Sequence, residues 1–185
     1  MIRARGFAAT SVGDLCEAAG VTKGAFFHHF PSKEALGVAA AEHWAEATGA
    51  FFEEAPYHSP DDPLDRLLAY VAFRRAMIDG EIPAFTCLVG TMAQEVHDTA
   101  PAIRDACGAS ILGHAATLEP DIAAAMAARG VTGFAPASLA RHVQAVIQGA
   151  FVLAKATNDA EAARESLDHL DRYLRALFGA APKED

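Results

Sequence analysis

A short apolar repeat, broken at one glycine and then resumed, constrains this chain more than any other feature. Val12, Leu15, Cys16 and Ala19 recur at i, i+3, i+4 and i+7, while Gly13, Asp14 and Glu17 take the opposite side. That period belongs to an α-helix and not to a strand. Ser11, three residues before Asp14, reads as the helix's N-terminal cap. Gly20 ends the repeat, Val21 is apolar, and Thr22 caps a second short helix through about His29. Two short helices meeting at a turn of about four residues that contains glycine make a helix-turn-helix, whose second helix can enter the major groove of DNA.

The second helix has side chains suited to that role. The segment "GVTKGAFFHHFPSKEAL", residues 20 to 36, gathers histidines, lysines and phenylalanines in a chain whose net charge is −9. Phe26 and Phe30, four apart, face a small core, which leaves Lys23, Gly24, Ala25, Phe27, His28 and His29 toward the exposed side or the helix ends. With Thr22 and Lys33 these are the candidate DNA contacts. Small Gly24 and Ala25 let base edges come close, His28 and His29 donate or accept hydrogen bonds, and Lys33 at the next helix start meets a phosphate. A histidine pair is more often plain surface. A zinc site is disfavoured because no carboxylate or cysteine stands at helical ligand spacing beside the pair. Residues 1–33 set Arg3, Arg5, Lys23 and Lys33 against Asp14 and Glu17, so the negative charge lies downstream, a small asymmetry of the kind that marks an interaction surface.

Pro31 and Ser32 stop the second helix, and Ser32 caps a long third one with a stripe of Leu36, Ala40, Trp44, Ala47 and Phe51 opposite Glu42, Glu46 and Glu53. "EEAPYHSPDDP" is turn-rich and acidic and reads as a connection. The expected organisation is therefore a helix-turn-helix domain over 1–52 and a helical effector-binding and dimerisation domain over 53–185. Periodicity places further helices at about 63–79, 84–98, 101–128, 136–157 and 159–178. Leu139, Val143, Val146, Ile147 and Ala150 form one stripe, and Ala163, Leu167, Leu170, Leu174, Leu177 and Phe178 another. A short turn joins these last two helices as an antiparallel pair, which a twofold mate would complete as a four-helix bundle. An effector pocket between helices needs apolar walls with a few polar groups. Phe73, Met77, Cys87, Thr91, Met92, Glu95, Ile111, His114 and Phe151 have that character.

Other classes fit poorly. An apolar content of 52% in 185 residues is ample for a core. Cys16, Cys87 and Cys107 are odd in number and widely spaced, which argues against a disulfide framework or structural zinc and for a reducing cytoplasm. The start has no signal-peptide pattern, and no apolar run reaches the roughly 18 residues that span a bilayer, so no membrane partner is expected. No GxSxG, HExxH or phosphate loop appears, so neither enzymatic chemistry nor a cofactor or metal is expected.

The segment "FAATSVGDLCEAAGVTKGAFFHHFPSKEAL" resembles the DNA-binding domain of TetR-type transcriptional regulators, densely over residues 6–44, with a local echo downstream in "CLVGTMAQEV". The resemblance implies an all-α homodimer, usually a repressor, released from a palindromic double-stranded DNA operator when a small molecule binds the larger domain. Two departures stand out. The family's first helix is largely absent before Gly6, and Gly13 and Phe27 stand where the family often has a basic or polar residue and tyrosine. The missing first helix, with the acidic surface, keeps an alternative in view, a helical ligand-binding or scaffold protein that has lost DNA binding. Some regulators of this type sense electrophiles through a cysteine in a stretch like that around Cys87. No Lys, Arg or His lies within four positions of Cys87, which favours a buried structural thiol and a reversible, apolar effector.

Overall fold

The computed structural model describes residues 1–181, all-helical with no strand among them. The helices are α1 (Ile2–Arg5), α2 (Val12–Ala19), α3 (Lys23–His29), α4 (Lys33–Glu53), α5 (Pro63–Ala76), α6 (Ile82–Phe85), α7 (Leu88–Val96), α8 (Pro101–Ala116), α9 (Glu119–Arg129), α10 (Pro136–Thr157) and α11 (Glu161–Leu177). They sort into two compact units. The first holds Met1–Phe52 and Thr86–Ile111; the second holds Glu53–Phe85 and the residues from Leu112 on. Residues 86–111 pack with the N-terminal segment. Periodicity locates a helix, whereas the neighbour it packs on is a tertiary fact.

In the first unit, α1, α4, α7 and α8 share a core of Ile2, Phe7, Ala41, Val89, Met92, Val96, Ile103 and Cys107, with Trp44 and Ile111 packed on it. Helix α4 buries Gly37, Ala41 and Phe52. The expected stripe is therefore turned by one position, because Gly37 comes closest to its neighbours: a Cβ there would lie 2.6 Å from Ile103 Cδ1 and 2.9 Å from Phe7 Cε2. Arg3 lies over the Trp44 ring, 5.2 Å from its centroid.

The second unit is built on α5, α9, α10 and α11. Helix α10 ends at Asn158 in the left-handed conformation, φ 54, whose N–H bonds Ala154 O, and the turn returns the chain as α11. Leu139, Val143, Ile147 and Ala150 pack with Ala163, Leu167, Leu170, Leu174 and Phe178 in one core. The predicted stripes are thus largely buried within a single chain, with Val146 and Leu177 half-buried at their edges. Arg66 on α5 bonds Asp121 at 2.7 Å, Arg75 bonds Asp168 at 2.6 Å, and Arg164 bonds Ile78 O at 2.6 Å, tying α5 and its end to α9 and α11. Their rims are partly exposed, so each ion pair contributes little beyond fixing register.

Two expected helices are divided. The span 101–128 breaks at Thr117–Leu118, where Pro120 lies in the first turn of α9; proline has no N–H to continue α8 and fits the start of a new helix. The span 84–98 resolves into α6 and α7, with Cys87 as the N-cap of α7.

Candidate nucleic-acid interface and buried polar cluster

Local hydrogen bonds set α2 and α3. Ser11 Oγ accepts from Asp14 N at 3.1 Å, and Asp14 Oδ2 accepts from Ser11 N at 2.7 Å and from Ser11 Oγ at 2.6 Å. This capping box satisfies donors that α2 would otherwise leave open. The bonds from Ser11 also hold the Asp14 carboxyl below its ordinary range. Gly20, at φ 66 and ψ 30, closes α2 with its N–H on Cys16 O and Glu17 O, a left-handed turn that suits a residue without Cβ. Thr22 Oγ1 then accepts from Ala25 N at 3.1 Å and starts α3. Phe30 is extended at φ −126 and ψ 115, as the residue before a proline prefers, and Ser32 Oγ accepts from Ala35 N at 3.0 Å to begin α4.

This framework divides the candidate residues by face. Phe26 is 7% exposed and Phe30 half-buried, with ring centroids 5.7 Å apart. Thr22, Lys23, Gly24, Ala25, Phe27, His28 and His29 are all exposed. Phe27, at 54%, stands edge-on to Phe26 with centroids 5.1 Å apart, and the His28 and His29 rings are 5.1 Å apart. A Cβ on Gly24 would meet only Thr22 Oγ1 at 3.7 Å, so the fold does not require glycine there. Lys33 is half-buried: its Nζ donates to Ala8 O at 3.3 Å and lies 4.4 Å from the Phe7 ring centroid. An ammonium has three N–H donors, so one bond leaves two for a phosphate.

The effector candidates fall into both units. In the first, Cys87 caps α7 through Sγ, which accepts from Gly90 N at 3.4 Å; Thr91 Oγ1 donates to Cys87 O at 2.9 Å; Met92 is fully buried; and Ile111 packs on the core. Glu95 accepts two backbone N–H groups, from Phe7 at 2.5 Å and Ala8 at 3.1 Å. Cys107 is buried, and burial, then the neighbouring Cys87, push its thiol up to about 11.

In the second unit His114 joins a polar cluster with Tyr70, Arg74 and Gln144, Phe151 lies beside it, and the Phe73 ring is 5.8 Å from that of Tyr57. Tyr70 OH meets His114 Nε2 at 2.9 Å, accepts from Gln144 Nε2 at 2.8 Å, and accepts from Arg74 NH1 at 3.3 Å. The Arg74 guanidinium also lies 5.9 Å from the Phe151 ring centroid. Tyr70, Arg74 and Gln144 are buried. Burial, followed by the Arg74 charge, pulls the His114 imidazole down to about 4. A neutral ring can then accept the Tyr70 proton through Nε2. Met77, by contrast, is 39% exposed. The signal that was available is the period itself: Leu67, Tyr70, Arg74 and Ile78 lie along one buried line, so an arginine stood in a core position.

Known proteins complete the description. A family model described as bacterial regulatory proteins of the tetR family matches residues 1–40, and one described as tetracyclin repressor-like, C-terminal domain, matches residues 63–170. The chain belongs to the TetR family. Among family members, the HTH-type transcriptional repressor NemR of Escherichia coli (strain K12) is 34% identical over 104 residues, 55% of this chain and 51% of the relative. The HTH-type transcriptional repressor DhaR of Mycobacterium sp. (strain GP1) is 29% identical over 100 residues, 54% of this chain and 48% of the relative. This chain thus spans about half the length of the curated relatives it matches. The crystal structure of reduced E. coli NemR superposes with a TM-score of 0.78 at 27% identity, covering 92% of this chain and 89% of that one. The all-α fold and the N-terminal helix-turn-helix are those of the TetR family.

Proposed function

We propose that this TetR-family chain is a ligand-responsive, DNA-binding transcriptional regulator and not an enzyme. It acts as a repressor on a palindromic operator in the bacterial cytoplasm. The observation that carries this reading is the division of α3, where one buried phenylalanine anchors a helix whose Lys23, Gly24, Ala25, Phe27, His28 and His29 are exposed together. A helix held by its caps and one anchor, with small residues beside hydrogen-bonding ones, suits entry into a major groove. Thr22 and Lys33 at the adjoining helix starts add phosphate contacts.

The mate would pack on the exposed side of α10 and α11, where Gly149, Val152, Leu153, Tyr173 and Ala176 lie, Leu153 at 50% and Tyr173 at 45% exposure. Two such faces build a twofold interface and set two copies of α3 on successive half-sites. The effector is a small, mainly apolar molecule held in the second unit by Phe73, Met77 and Phe151, with His114, Tyr70, Arg74 and Gln144 giving it orientation.

The test is selection of bound duplexes from a random pool. We expect enrichment of an imperfect inverted repeat, a changed half-site preference in His28→Ala, and weaker binding with a salt slope reduced by about one in Lys33→Ala. A pool that returns no enriched sequence would remove the reading. Leu153→Glu tests the dimer by sedimentation: we expect a folded monomer, and an unchanged dimer would move the interface elsewhere.

A further inference from the structure

We propose that Glu95 is a positioning residue for DNA binding, a carboxylate on α7 that fixes the loop carrying Lys33's backbone partner. This inference rests on the DNA-binding reading above. Residues Gly6 to Ser11 join α1 to α2, and local bonds serve Gly6 N (to Ile2 O at 2.8 Å), Thr10 N (to Phe7 O at 3.2 Å) and Ser11 N (to Asp14 Oδ2 at 2.7 Å), whereas the N–H groups of Phe7 and Ala8 are met from a distant helix. Glu95 Oε2 supplies two, accepting from Phe7 N at 2.5 Å and from Ala8 N at 3.1 Å. Such charge-assisted bonds are about twice as strong as neutral ones.

The loop is shaped to receive that carboxylate. Gly6 sits at φ +90, and a Cβ added to it would fall 2.1 Å from Glu95 Oε1, so the oxygen occupies the space that a side chain would need. Thr10, itself buried, donates from Oγ1 to Gly6 O at 2.6 Å and closes the loop from its other end. Phe7 is buried below, and its ring carries Lys33 Nζ at 4.4 Å from the centroid.

Ala8 is therefore held on both sides. Its N–H goes to Glu95 and its carbonyl accepts from Lys33 Nζ at 3.3 Å. The carboxylate sets the carbonyl, and the carbonyl sets the ammonium at the start of α4. Glu95 touches no phosphate in this scheme. It acts through Ala8 and Lys33. Because Lys33's contact is one of several, loss of the clamp should weaken binding without abolishing it.

The experiment uses the full chain and a duplex taken from the selection described above, with wild type, E95A, E95Q, K33A and the E95A/K33A pair. We expect E95A to weaken binding about tenfold and E95Q about threefold, since the amide oxygen still accepts from the backbone N–H groups but through weaker neutral bonds. In the K33A background the same E95A change should cost less than about threefold, because the group it positions is gone. Amide exchange at Phe7 and Ala8 should quicken in E95A while Ala41 in α4 stays protected. Unchanged affinity in both E95A and E95Q would overturn the proposal, as would an equal loss with and without Lys33. If E95A proves unstable, E95Q carries the test, with no loss counting against it. A wild-type chain that binds no duplex sinks the DNA-binding reading and this inference with it, whereas tight wild-type binding matched by E95Q and E95A sinks this inference alone.

Discussion

Helices α2 and α3 bury one residue each, Cys16 and Phe26, whereas α10 alone buries eight. The difference teaches what holds each region. An isolated helix shorter than roughly 12 residues is marginal in water, and α3 has seven, so its order comes from Thr22, the Gly20 turn and the Phe26 anchor. The α10–α11 pair needs no such aid, since a continuous apolar seam fixes both helices. One region is held by hydrogen bonds at its ends, the other by area removed from water.

The largest break in that contrast should come from the seam. Leu174 is fully buried, so Leu174→Ala should cost about 2–5 kcal/mol through lost transfer energy and the cavity left behind. Urea unfolding measures it, and a loss below 1 kcal/mol would mean the seam is not continuous.

How far the sequence showed these regions follows from the same contrast. The bounds of α2, α3 and α4 could be read because Ser11, Gly20, Thr22 and Ser32 each signal an end chemically, and Pro136 and Asn158 did the same for α10. In α4 the Ala-rich run gives the period little contrast and a glycine does not look like a core residue, so the apparent stripe lies one position from the buried Gly37, Ala41 and Phe52. Pro120 was absorbed into an alanine-rich stretch. The association of residues 86–111 with the N-terminus, and with it the clamp of Glu95 on Phe7 and Ala8, left no local mark at all. On α3 the face assignments were legible from Phe26 and Phe30; of the effector candidates, chemical character alone could not say which unit each would join.

Histidines sharpen the comparison next. His28 and His29 are exposed, while His114 is drawn down to about 4 by burial and then by Arg74. Its folded value lies below the unfolded one near 6.5, so the unfolded chain takes up the proton first. Stability is kept above pH 6.5 and lost as pH falls from there toward 4, by up to about 3 kcal/mol for this group. Unfolding midpoints from pH 7 to 4.5 should therefore fall more steeply in wild type than in His114→Gln. Parallel curves would contradict the neutral, half-buried ring.

Capping comes third. Thr22→Ala removes the bond to Ala25 N and should cost about 1 kcal/mol, with a loss of operator affinity beyond that expected from stability, because the end that frays carries Lys23 and Gly24. A matching change at an α10 terminus, Ala135→Gly, should leave operator affinity untouched.

The smallest effect has opposite signs in the two assays. Gly24→Ala places its methyl near nothing but Thr22 Oγ1, so it should stabilise the fold by about 0.5–1 kcal/mol through helix propensity. If α3 enters the groove as proposed, the same methyl meets base edges and should weaken binding to the wild-type operator. Equal affinity would show that α3 keeps its distance from the groove at this point.

That open space at position 24 has a consequence over generations. A substitution there clashes with nothing in the fold, so selection on stability does not oppose it, and under the proposed function the residue is left to drift with the DNA that is read. A duplicated gene could acquire a new operator by single changes at positions 24, 25, 28 or 29 while the Ser11 cap, the Gly20 turn and the Phe26 anchor stay as they are. The α2–α3 pair separates the residues that inheritance must preserve from those it is free to rewrite.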